Sequence, residues 1–254
     1  MQPNTPNRTS YQGGPTNMNT PNTLSGGVKV VSASVPREGF LTASFVWMFV
    51  GLLVSAGAAA FVMNNESAMA QVVQKWFLLA IGTFVVGIGL SIVITRINAL
   101  VALGGFFVYA LLNGLMLGAI VTAYAAEPSG ASAVVTAFLG ASAIFAGAAV
   151  YGVLTKRDLT SMGGILSMGL LGLIVVSFVQ LFLFPGSGVF NFIFGVVGVV
   201  IFTGLTAVHV QKIQKGVLPG VNKDSASVYG ALLLYLDFIN LFFALLRIMG
   251  SSRR

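Results

Sequence analysis

Four ionisable side chains lie within or at the edge of long apolar runs: Asp237, His209, Arg96 and Arg247. In hydrocarbon each is costly unless it meets a partner or a polar path, so each is a candidate for ion or proton chemistry. Asp237 stands out. It falls about ten residues into the last apolar run, roughly 15 Å of helical rise and so close to a bilayer midplane. On a helix, Asp237, Asn240, Ala244 and Arg247 fall at about 0°, 300°, 340° and 280°, a single stripe. Phe238, Phe242 and Leu245 take the opposite face, while Leu233 and Leu236 fall within and beside the stripe. The stripe is expected to look into a helix bundle, because an acid facing lipid costs several kcal/mol. Two readings of it stand: a functional group on a polar path, or a polar knot that fixes helix packing.

His209 is the only histidine. One imidazole cannot build a multi-histidine metal site, and no serine is marked out as its catalytic partner. At a membrane edge an isolated histidine is more often a solvated interfacial residue than a functional one. An intramembrane aspartyl protease needs two deeply placed acids, and only Asp237 qualifies. A retinal protein needs a lysine inside a late helix, and the last run has none. With no cysteine, disulfides, thiolate metal sites and cysteine nucleophiles are excluded. The inventory yields no catalytic residue, no metal site and no cofactor, and the chain reads as something other than an enzyme.

The elements that must position these residues follow from composition. Of 254 residues, 56% are hydrophobic and 7% charged, against roughly 25% charged in a soluble domain. The mean hydropathy is +0.94. A soluble fold could not hide so much apolar surface, so an all-α polytopic membrane protein is expected. Seven apolar segments are long enough to cross: Phe40–Met63, Trp76–Thr95, Ala99–Tyr124, Ala131–Leu154, Gly163–Phe184, Val189–Val210 and Ser227–Met249. The short segments of alternating polarity that a β-barrel needs are not visible. Repeated small residues such as Gly114 and Gly118 suit close helix packing.

The organisation expected is a flexible polar tail over 1–39, a seven-helix domain over 40–250 and a short tail over 251–254. Asn, Pro, Thr and Gly fill 18 of the first 27 positions, too polar to order themselves. Lacking the apolar region of a signal peptide, the tail leaves targeting to the first span. Asn7-Arg8-Thr9 and Asn65-Glu66-Ser67 fit the glycosylation sequon, a pattern short enough to arise by chance. Pro185-Gly186-Ser187-Gly188 reads as a tight turn. No loop is large enough for a soluble catalytic domain.

The net charge of +7 reads as loop Lys and Arg facing anionic lipid, with no role for nucleic acid. With the N-terminus inside, nine of the 13 basic residues fall on the inner side, including Arg96, Lys156, Arg157, Lys212 and Lys215. The outer four are Lys75, Arg247, Arg253 and Arg254. A cytoplasmic N-terminus is therefore expected, with a re-entrant last segment as the alternative topology.

Residues 231–250, ALLLYLDFINLFFALLRIMG, closely resemble the signature helix of the Bax inhibitor-1 family. Residues 151–164, YGVLTKRDLTSMGG, resemble that family's loop between the fourth and fifth spans, and 107–120 its third span. The resemblance implies seven helices with the last one central, wrapped by the other six. It also implies a pH-sensitive calcium leak, with two aspartates latched by a hydrogen bond at the cytoplasmic side of the pore and an arginine from the second span beside them. Asp237 matches the second aspartate, and Arg96 is the nearest candidate for the arginine. The first aspartate's place, in TAVHVQKIQ, is taken by His209. Two carboxylates attract a hard divalent cation, whereas a His–Asp pair offers one, and its protonated ring repels calcium. Such a pair latches the helices as an ion pair, tightest while the ring is protonated. The expected function is a gated ion leak in a bacterial plasma membrane, with the bilayer and calcium as partners. The alternative, also from bacterial relatives, is a non-conducting protein that binds a membrane-anchored AAA protease.

Overall fold

A computed structural model describes residues 39–94, 96–183, 188–216 and 225–251. The polar tail, the turn around Pro185 and the last three residues lie outside them. Eight helices are described: α1 (Phe40–Met63), α2 (Glu66–Gln74), α3 (Trp76–Val93), α4 (Ala99–Ala125), α5 (Gly130–Leu154), α6 (Thr160–Leu183), α7 (Gly188–Lys215) and α8 (Ala226–Ser251). All but α2 are long and apolar enough to cross a membrane.

Among the described residues, large apolar side chains stand exposed on every helix except α8. That distribution fits a bundle whose outside faces hydrocarbon and whose last helix is its core. Helix α8 packs against α7, α1, α5 and α4, while α3 and α6 lie further out, along α4 and α7. The expectation that all six other spans wrap the last one is therefore corrected: four do so closely. Apolar burial drives little association in lipid, so close backbone approach must do the work. A Cβ on Gly118 would lie 2.7 Å from the Ala59 carbonyl oxygen, and one on Gly114 would collide with that of Ser55. These two glycines let α4 lie directly on α1. Gly195 does the same for α7 against Ala244 of α8, at 2.7 Å, and Gly152 for α5 against Ala207 of α7, at 2.6 Å.

Two boundaries differ from expectation in ways that matter. Helix α7 runs on to Lys215, five residues past the expected Val210. Hydropathy falls there, but Gln211 and Ile213 remain buried, so packing carries the helix onward. Lys212 and Lys215 in its last turn also suit the negative end of the helix dipole. The second difference is α2, a short helix too small and polar to span. Asn65, read above as half of a sequon, caps it by accepting a hydrogen bond from the Ala68 amide at 2.9 Å.

Candidate functional site

The extended α7 brings His209 level with Asp237. The imidazole Nδ1 and the carboxylate Oδ2 are 2.6 Å apart, with side chains 17% and 3% exposed. The bond is short for a nitrogen–oxygen contact, and it is an ion pair when the ring is protonated. Around it Leu205, Val208, Val210, Leu234, Phe238 and Leu241 are all buried. The acid is thus shut inside the bundle, while one edge of the imidazole reaches outward. Helices α7 and α8 are joined here by a polar contact between residues 28 apart in sequence.

Neutral groups missed by a search for charge lie close in sequence to both residues of this contact and tie neighbouring elements together. Two residues beyond His209, Gln211 is 2% exposed. Its Nε2 donates to the Arg157 carbonyl at 2.8 Å, and its Oε1 accepts from the Leu159 amide at 2.9 Å. That fastens the link between α5 and α6 to α7. In the same link, Asp158 accepts from the Thr160 amide and hydroxyl and meets Lys215 at 3.4 Å. The Thr160 bonds, more than Lys215, hold its carboxyl below the ordinary carboxylate range.

Two residues before Asp237, Tyr235 is fully buried. Its hydroxyl lies 2.7 Å from Ser55 Oγ, and Ser55 donates onward to the Ala110 carbonyl at 2.8 Å. That assignment makes Tyr235 the donor to Ser55 and ties α8, α1 and α4 at one point. The Phe106 and Tyr109 rings meet Tyr235 edge-on, at 5.5 and 6.0 Å between centroids. The signal for both residues lay in their types: a buried Tyr or Gln inside an apolar bundle needs a partner.

The remaining candidates stand apart from the pair. Asn240 donates its Nδ2 to the Leu236 carbonyl at 2.7 Å. Arg247 lies over the Phe194 ring, with Cζ 4.6 Å from the centroid. Both line a cleft between α8 and its neighbours and are partly exposed, whereas Asp237 and Ala244 of the same stripe are buried. Arg96 is exposed in the link between α3 and α4, outside the buried pair. Among the described residues, no cluster of three His, Cys, Asp or Glu is placed to hold a metal ion.

These features define a helical membrane protein whose central helix carries a buried acid bonded to an imidazole from the preceding span. The chain belongs to the Bax inhibitor-1 family: the family model described as "Inhibitor of apoptosis-promoting Bax1" matches residues 37–254. It is 36% identical to the inner membrane protein YbhL of Escherichia coli over 229 residues, 86% of this chain and 95% of that one. An uncharacterized protein of Deinococcus radiodurans is 36% identical over 217 residues, covering 84% and 90% of the two chains. One from Borreliella burgdorferi is 37% identical over 224 residues, covering 85% and 94%.

Proposed function

We propose that this integral membrane protein is a pH-gated ion leak of a bacterial plasma membrane, with the His209–Asp237 bond as the latch that keeps it shut. The observation that carries the reading is the 2.6 Å bond itself, which joins α7 to the central helix inside the apolar core. With the N-terminus in the cytoplasm, as the distribution of basic residues favours, the latch lies toward the cytoplasmic end of α7.

The sign of the pH response follows from the charges. With the ring protonated, the pair is a neutral ion pair and its bond is charge-assisted. Loss of that proton leaves a buried carboxylate without its counter-charge, an arrangement that burial disfavours. The shut state is thus held at acidic pH and loosens as the pair gives up its proton.

Calcium flux into liposomes that contain only this protein tests the reading. Flux should rise with pH, and His209→Phe should flatten the profile. His209→Asp would restore two carboxylates and should raise calcium passage. A pH profile unchanged in His209→Phe removes the latch. A second reading rests on the single carboxylate where a cation path would favour two: a non-conducting partner of a membrane-anchored protease. That reading predicts no flux at any pH and co-purification of the protease from native membranes.

A further inference from the structure

From about one to about three helical turns along α8 from Asp237, residues of α3, α4, α6, α7 and α8 enclose a cleft of ≈ 460 Å³. Its size is within the roughly 300–1,000 Å³ of small-molecule sites. Most of the wall is apolar, with Leu170, Ile174, Phe202 and Phe243 among the side chains. Trp76 lines it and is 37% exposed, so the cleft opens to the lipid-facing surface.

The polar groups in the wall are unevenly served. Asn113, Ser177 and Asn240 each donate to a carbonyl one turn back on their own helix, at 3.0, 2.8 and 2.7 Å. Arg247 differs. Among the described residues it is the one basic residue in the lining and no acid lines the cleft, and its Nη1 is buried without a hydrogen-bond partner. The Phe194 ring meets the face of the guanidinium, so it does not serve Nη1, whose N–H bonds lie in the guanidinium plane. A guanidinium cannot shed its charge and presents its donors as a fork suited to phosphate. Arg247 is also four residues from Ser251, the described end of α8, about 6 Å of rise and so near headgroup depth. Trp76 and Tyr124 in the same lining are the aromatic types that settle at that level.

A cation whose Nη1 is unmet at the end of an apolar trough complements an anion that carries an apolar chain. We propose that the cleft binds one anionic phospholipid from the surrounding bilayer, its phosphate on Arg247 and an acyl chain along the trough toward Asn240. Binding of this kind does not depend on whether the protein conducts. It places a lipid against α8 on the same stripe as Asp237.

The chain supplies its own reporter. It has two tryptophans, Trp47 and Trp76, so Trp47→Phe leaves an emitter inside the cleft. In nanodiscs of phosphatidylcholine, a small fraction of acyl-brominated phosphatidylglycerol should quench Trp76 with an apparent affinity about fivefold above brominated phosphatidylcholine, the worth of one basic side chain toward anionic lipid. Arg247→Gln should abolish the preference and Arg247→Lys keep part of it. Trp47, observed alone in Trp76→Phe, should be quenched equally by both lipids. Without any change at Arg247, unlabelled phosphatidylglycerol should restore Trp76 emission, and unlabelled phosphatidylcholine should not. Equal quenching of Trp76 by the two lipids, equal competition by them, or a preference that survives Arg247→Gln overturns the proposal.

Discussion

Asp237 and Arg247 sit on one stripe of one helix, and the bundle treats them in opposite ways. The acid meets a side chain from the neighbouring span at 2.6 Å and is closed over by the core. The base meets an aromatic face and borders an open cleft with a donor unused. The difference teaches how to read charge in a membrane helix. A buried charge completed by its own fold holds that fold together, whereas one left incomplete at a cleft is available to something outside the chain.

The sharpest way to break this contrast is to remove one partner at each end. His209→Leu strands the acid, and in the acidic range where the ring carries its proton it should lower stability by about 3–5 kcal/mol, as for other broken buried pairs. His209→Leu combined with Asp237→Leu should recover most of that loss. Thermal unfolding in detergent reads both, and equal losses in the single and double variants would mean the bond does not hold the helices. A middle effect is expected one step removed. Gln211→Ala leaves the Leu159 amide and the Arg157 carbonyl unpaired, at a cost of about 1–3 kcal/mol, visible as faster hydrogen exchange at Leu159. The smallest change belongs to the incomplete end. Arg247→Gln gives up a cation–π contact and should shift stability by less than about 1 kcal/mol. A larger loss in the same melts would place Arg247 with the structural charges.

The spans were legible because run length and hydropathy are local properties: Phe40–Met63 is found as expected, and most other ends agree within three residues. Asp237's burial was legible for the same reason, since an acid in an apolar run has nowhere else to go. The partner of the acid was not. Helical spacing marked the stripe on α8, but only the resemblance pointed to His209, because the hydropathy-based end of α7 stopped at Val210 and left His209 at the membrane edge. Tyr235 and Gln211 escaped notice because they are neutral. Their partners are 180 and 52 residues away, so no local pattern announces them. Helix α2 escaped because its nine residues fit neither a span nor a turn.

The joint of Ser55, Ala110 and Tyr235 has a consequence for biogenesis. The three residues come from α1, α4 and α8, the last of the described helices in chain order. Spans enter the bilayer as they are made, and helices associate laterally afterwards. Helices α1 and α4 can meet early through Gly114 and Gly118, since both belong to the first half of the chain. The core helix arrives after all the others. Until it does, Ser55 lacks its tyrosine and the faces destined for α8 are open to lipid or to other membrane proteins, so the bundle is completed from the inside by its latest-made part.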